Sequence, residues 1–89
     1  MTVIYRLDGR QFLNRERAYE YLIEELSLPS YTGHNLDALW DVVMDKGNME
    51  LEILYGRSIL DHLEGYGRQL LDLFGDLNQE AGYHVVVYW

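Results

Sequence analysis

The sequence predicts an α/β fold in which a small three-stranded parallel sheet packs against about four helices. Three short segments have the two-residue alternation or the β-branched composition of strands, and the segments between them show the period of amphipathic helices. Strands separated by helical segments of a dozen or more residues favour crossover connections, and therefore parallel pairing. No linker rich in proline, glycine or serine interrupts the 89 residues, so we predict a single domain over residues 1–89.

The first strand and the first helix are indicated by short local patterns. Apolar residues alternate over residues 3–7, before the turn signal Asp8-Gly9. Asn14 is a suitable cap for a helix over residues 15–26, whose inward positions recur at the helical period. Those positions are Ala18, Tyr19, Leu22, Ile23 and Leu26.

A second helix is predicted to begin after Asn35, a good N-cap that follows a loop punctuated by Pro29 and Gly33. Its apolar residues again recur at helical spacing, at Leu36, Leu39, Trp40 and Val43. A break at Lys46-Gly47-Asn48 precedes a second strand over residues 49–55, where alternation with two glutamates indicates a face partly exposed to water.

Two more helices and the final strand complete the predicted fold. A short helix over residues 57–63 leads through Gly65-Tyr66-Gly67 to a longer helix over residues 68–80, which Ala81-Gly82 would end. Residues 83–89 are almost all β-branched or aromatic, which is typical of a strand covered on both faces. We therefore expect the final strand to be the most buried one.

The composition is strongly acidic. Fifteen aspartates and glutamates against seven lysines and arginines give a formal charge of -8, which repels phosphate backbones and anionic lipid and favours basic partners. We therefore expect binding neither to nucleic acid nor to a membrane. The chain has no cysteine, and its first residues lack the pattern of a signal peptide, so we expect a cytoplasmic protein. It has no cofactor motif, and we expect no cofactor.

The most informative segment is residues 28–41, LPSYTGHNLDALWD, where a turn-rich loop meets the second helix. Asp37, Asp41 and Asp45 lie four residues apart and so form one carboxylate stripe. Like charges at this spacing cost about 0.2 to 0.5 kcal/mol per pair, which favours a role in binding a cationic partner. The segment closely resembles the barstar family, the intracellular inhibitors of barnase-type bacterial ribonucleases. Chain length, element order and the apolar final strand agree with that resemblance.

The resemblance implies a protein partner, a bacterial ribonuclease of the barnase type, and a chain that is not an enzyme and is monomeric before complex formation. In this family the acids of the loop and second helix occupy ground that RNA phosphates would otherwise hold. Carried over by position, the partner-binding residues are Tyr31, Gly33, Asn35, Leu36, Asp37, Trp40, Asp41 and Asp76.

The resemblance also implies a role for most of these residues. Asp41 would be the principal anchor among arginines of the phosphate subsite, and Asp37 a second contact one turn earlier. Tyr31 would pack against the enzyme. Trp40 would lie near the interface. Apart from the resemblance, Gly33 as a turn residue would need an unusual backbone angle, and an apolar aromatic residue such as Trp40 on this helix could equally belong to the core. Asp76 of the last long helix would be an outlying charge at the rim.

The chain departs from the family pattern at several positions, and these departures bear on which nuclease is bound. The family's tryptophan after the second helix is replaced within Lys46-Gly47-Asn48, and Asp76 stands where the family has a glutamate. Thr32 stands where the family has a second loop tyrosine, and His34 stands where it has a glutamate. His34 beside the acidic loop would make binding weakly dependent on pH.

Other functions were weighed from the same residues. The histidine and carboxylate pairs that would serve catalysis are His34 with Asp37 and His62 with Asp61, beside a lone His84, and none has a diagnostic spacing. A helical aspartate stripe cannot surround calcium with six to eight oxygens, so we expect no metal. The stronger alternative is an acidic interaction module of the same fold that docks on another basic protein or nuclease.

Overall fold

A computed structural model describes residues 3–89 and confirms the α/β class. Within that range the chain forms three strands and four α-helices in the order β1, α1, α2, β2, α3, α4, β3. The strands are β1 (Ile4–Asp8), β2 (Met49–Leu54) and β3 (Tyr83–Val87). The helices are α1 (Arg15–Glu25), α2 (Leu36–Lys46), α3 (Gly56–Leu63) and α4 (Gly65–Leu77). A single 3-10 turn at Gly9–Gln11 follows β1.

The sheet is parallel throughout its described strands, with β2 in the centre between β1 and β3. Its register places Leu51 of β2 between Tyr5 and Val85, so side chains of one face form continuous rows across the three strands. This inner face packs against the helices. The largest fully buried side chains are Tyr19, Phe12, Phe74, Leu7, Leu22, Leu26, Leu39, Met49, Leu51, Ile53, Ile59 and Leu70.

The expectation that the final strand is the most buried was wrong. β3 lies at an edge of the sheet, and Tyr83 is buried whereas His84 and Val86 are exposed. The central strand β2 instead alternates buried and half-buried residues. A β-branched composition shows that a segment fits a pleated surface, but strand order determines which strand is central. The outer face stays open to water at Ile4, which is 53% exposed, and at Val86.

The two asparagine caps lie where the sequence predicts them. The Oδ1 atom of Asn14 accepts a hydrogen bond from the backbone N–H of Arg17 at 3.0 Å, at the start of α1. The Oδ1 atom of Asn35 accepts one from the backbone N–H of Ala38 at 2.8 Å, at the start of α2. Each satisfies an N–H group that has no partner within its own helix.

Helix α4 begins and ends three residues earlier than predicted. Gly65 opens the helix, and Gly67 lies inside it. A Cβ atom at Gly67 would lie 2.5 Å from the carbonyl oxygen of Ile59 on α3. This glycine allows the two helices to approach closely. The predicted stop at Ala81-Gly82 was also wrong, since α4 ends at Leu77 and a turn leads from there to β3.

Three tyrosines have hydroxyl groups that are removed from water and hydrogen-bonded. The hydroxyl of Tyr83 donates to a backbone carbonyl of α2 at 2.9 Å, and that of Tyr21 accepts from the backbone N–H of Asp8 at 2.8 Å. The hydroxyl of Tyr19 forms a hydrogen bond with that of Tyr66. Burial is the main cause that raises the pKa of Tyr19, Tyr21 and Tyr83 above the ordinary value for tyrosine.

Stability is therefore expected to fall above about pH 10. A phenol whose pKa is raised by folding holds its proton more tightly in the folded state than in the unfolded state. Its contribution to the free energy of unfolding is therefore complete below the pKa of the unfolded state and is lost as pH rises through the pKa of the folded state. In a titration followed by phenolate absorbance, we expect at least three of the eight tyrosines to ionise only as the chain unfolds. Tyr83→Phe should lower that number by one. Ionisation of all eight in a single step with the fold intact would contradict the prediction.

Candidate functional site

Helix α2 carries carboxylates on one face and buries the opposite face. Leu39 and Val43 are buried, whereas Asp37, Asp41 and Asp45 are all exposed, as their spacing predicted. The helix dipole favours the charge of Asp37 in the first turn and disfavours that of Asp45 near the last. Among the ion pairs of residues 3–89, none involves these three side chains. Their charges are thus not neutralised by a direct partner in that part of the chain.

The loop before α2 is fixed by buried residues on both sides of an exposed aromatic ring. Leu28 is buried, and so is Thr32, whose hydroxyl donates to the carbonyl of Pro29 at 2.6 Å. The backbone N–H of Thr32 donates to the same carbonyl at 3.0 Å. Tyr31 lies between these anchors and is 85% exposed. An aromatic side chain presented in this way offers apolar area and a hydroxyl to a partner.

Gly33 and Asn35 complete the connection to α2. Gly33 does not have the positive φ that the sequence led us to expect, so that prediction was wrong. A Cβ atom at this position would instead lie 3.1 Å from the Nδ2 atom of Asn35 and 3.2 Å from the Cβ atom of Ala38. The glycine allows close packing against the first turn of α2.

A groove between α2 and α4 extends the acidic surface. Its volume is about 300 Å³, and it is lined by Leu36, Asp37, Trp40, Gln69, Asp72, Leu73 and Asp76. An adjoining cavity of about 420 Å³ is lined by Trp40, Asp76, Gln79 and Glu80. The half-buried Trp40 belongs to both. Carboxylates on two helices and one aromatic ring therefore border a continuous depression.

The groove joins predicted site residues that are far apart in the sequence. Asp76 of α4 lines it together with Leu36, Asp37 and Trp40 of α2, although only the resemblance had connected Asp76 to the motif. Sequence reasoning missed Asp72, which lines the same groove. The sequence spacing could have indicated Asp72, because Asp72 and Asp76 are four residues apart and so share a face of α4.

The side chain of His34 contacts a different helix from the one that carries Asp37. The Nδ1 atom of His34 lies 2.9 Å from the Oε2 atom of Glu16 on α1, so the hydrogen bond joins His34 to α1 and not to Asp37. His62 and His84 are exposed, on α3 and β3. Over residues 3–89, no cluster of three or more histidine and carboxylate side chains is placed to hold a metal ion. In the same range, no helix combines the length and apolar character that crossing a membrane requires.

Fold and surface together define a small acidic α/β protein in which a loop with an exposed tyrosine leads into a helix that carries a row of carboxylates. The family model described as Barstar (barnase inhibitor) matches residues 2–89, and the chain belongs to this barstar family. It is also similar to a Bacillus subtilis (strain 168) protein named Putative ribonuclease inhibitor YrdF. The two are 30% identical over 76 residues, which cover 83% of this chain and 84% of that protein. Family membership supports a ribonuclease-inhibitor role, as the resemblance of residues 28–41 implied.

Proposed function

We propose that the chain inhibits a bacterial ribonuclease of the barnase type by covering its cationic active site with residues 28–35 and helix α2. A ribonuclease gathers arginine, lysine and histidine side chains to hold phosphate and to stabilise charge in the transition state. Carboxylates held on a rigid helix compete for those cations. The observation that carries the proposal is the exposed carboxylate pair Asp37 and Asp41, which is continuous with the acids of the groove.

Each part of the surface has a separate role in the proposal. Asp41, at the middle of α2, enters the phosphate subsite. Asp37 and the groove acids Asp72 and Asp76 receive basic side chains at the edge of the enzyme's active site. Tyr31 packs its exposed ring on the enzyme surface and excludes water from the charged contacts.

The charge of the whole chain supports the same partner. A formal charge of -8 attracts a basic protein over a distance and accelerates association, an effect that salt weakens. We propose that the chain acts as a monomer, one copy per enzyme, in the cytoplasm, where it would protect the cell in the manner of an antitoxin.

The direct test is a titration of the purified chain into barnase-type microbial ribonucleases while RNA cleavage is followed at about 0.1 M salt, where charges are screened beyond about 10 Å. We expect cleavage to fall linearly and to end at one inhibitor per enzyme. A folded chain that leaves cleavage unchanged across the panel would contradict the proposal. The acidic surface would then favour an interaction module for another basic protein, to be sought by capture of basic partners.

A further inference from the structure

We infer that side chains of α1 and α4 position the proposed ribonuclease-binding loop through His34. The residues concerned are Glu16, Tyr19, His34 and Tyr66, called here the loop tether. The inference rests on the proposed function, because the tethered loop is the surface that would contact the enzyme.

His34 lies in the middle of the contact loop, yet its side chain turns inward. Its neighbours Gly33 and Asn35 are proposed contact residues. Its Nδ1 atom lies 2.9 Å from the Oε2 atom of Glu16 on α1, and its ring stacks on Tyr19 with the centroids 5.5 Å apart and the planes 12° apart. The side chain is only 32% exposed. His34 thus links the loop to α1 and does not project toward a partner.

Tyr19, on which the His34 ring stacks, is held in place by residues of α1 and α4. Tyr19 is fully buried, and its hydroxyl hydrogen-bonds to that of Tyr66 on α4. The two tyrosine rings meet edge to face with centroids 6.3 Å apart. The guanidinium of Arg15 on α1 also lies over the ring of Tyr66, 4.1 Å from its centroid. The position of the loop is therefore coupled to the packing of α1 against α4.

The backbone around His34 gives the loop little other support. Thr32 is bonded to Pro29 on one side, and Asn35 caps α2 on the other. Among the backbone hydrogen bonds of loops and caps within residues 3–89, none involves Gly33 or His34. Without the tether, these two residues can leave the conformation that presents the contact surface. A surface that is competent about one tenth of the time binds about tenfold more weakly.

The test compares variants that break or preserve the tether. His34→Ala removes the stack and the hydrogen bond, and we expect about tenfold weaker inhibition. Glu16→Gln keeps an oxygen that accepts from Nδ1–H, so it should restore most of the affinity that Glu16→Ala loses. Glu24→Ala is the matched control, since it removes the same charge from an exposed position of the same helix, two turns away from Glu16.

Loop mobility in the free protein provides a second readout that needs no enzyme. We expect backbone order parameters of Gly33 and His34 to fall from about 0.85 to below about 0.6 in His34→Ala. If the unmodified chain inhibits a ribonuclease but His34→Ala changes neither affinity nor mobility, the tether is overturned. Equal losses in Glu16→Ala and Glu24→Ala would also overturn it, because charge alone would then account for the effect. Failure of the unmodified chain to inhibit any ribonuclease would instead contradict the proposed function.

Discussion

Asp41→Ala is expected to weaken the complex with the cognate ribonuclease at least about a hundredfold while the fold stays intact. Asp41 is exposed at the middle of α2 and would become buried among cations in the complex. Two opposite charges 4 Å apart attract by about 4 kcal/mol at an effective dielectric constant of 20. Truncation of one member of a buried pair costs about 2 to 5 kcal/mol, a range to which the barnase–barstar pair itself contributes. A hundredfold loss corresponds to about 2.7 kcal/mol and lies within this range.

Asp45→Ala is the matched control for this experiment. Asp45 lies one turn further along the same exposed stripe, so its removal changes the net charge equally without removing the proposed anchor. We expect its affinity to change less than about threefold, and its stability to rise by about 0.3 to 1 kcal/mol, because the dipole disfavours an acid near a helix C-terminus. Inhibition constants and thermal melting of both variants provide the measurement. A loss under about fivefold for Asp41→Ala, or equal losses for both variants, would contradict the assignment of Asp41 as anchor.

The aspartate stripe opposes the stability of the helix that carries it. Each pair four residues apart on α2 repels by about 0.2 to 0.5 kcal/mol, and in residues 3–89 no ion pair with the chain's own cations offsets this repulsion. Repulsion between like charges that nothing inside the fold offsets is typical of a functional surface. Removal of Asp41 should therefore leave the melting temperature unchanged or raise it, which separates the loss of binding from a loss of structure.

The parts of the fold that could be predicted are those determined by neighbours in the sequence. Asn14 and Asn35 cap α1 and α2 through contacts to residues three positions away, so the sequence alone located both helix starts. The course of α4 through Gly67 involves close packing against another helix instead. Gly67 was interpreted as part of a link because its sequence neighbours do not reveal the carbonyl of Ile59 against which it packs.

The candidate site likewise has features that follow from sequence spacing and features that depend on the packing of distant segments. Asp37 and Asp41 share a helix face, and their exposure followed from spacing. The groove could not be predicted, because Asp72 and Asp76 meet α2 only through the packing of α4 beside it. The orientation of His34 was likewise hidden, since its partner Glu16 belongs to another helix. Family resemblance supplied Asp76 but not Asp72 or the loop tether.

The largest loss of stability is expected from Gly9→Ala. The sequence indicated only a turn at Gly9, but the glycine is buried after β1, beside the start of α3. A Cβ atom there would lie 2.1 Å from the carbonyl oxygen of Tyr55 and 3.0 Å from that of Leu54. Because these atoms are backbone, a side-chain rotation cannot relieve the clash.

The neighbouring segment has little freedom to move away from a methyl group at Gly9. Tyr55 already has a left-handed backbone, with φ of 56°, and its carbonyl accepts the N–H of Ser58 at 3.0 Å in the first turn of α3. Its ring is covered by the guanidinium of Arg10, 4.0 Å from the ring centroid. Overpacking typically costs about 1 to 3 kcal/mol and occasionally more, and a backbone clash belongs at the upper end. We expect a loss of about 3 kcal/mol, a large fraction of the stability of a domain of this size.

Gly75→Ala makes the same chemical change where the opposite result is expected. Gly75 lies on the exposed side of α4, and a Cβ atom there meets nothing within 4 Å. Alanine in an exposed helix interior is more favourable than glycine by up to about 1 kcal/mol, so this variant should melt higher than the original chain. Gly9→Ala should melt lower by at least about 12 °C, since each kcal/mol shifts a domain of this size by about 4 to 8 °C. Comparable melting temperatures for the two variants would show that the backbone at Tyr55 can move to accommodate a methyl group. Close packing of the β1–α1 connection against α3 would then not require a glycine at position 9.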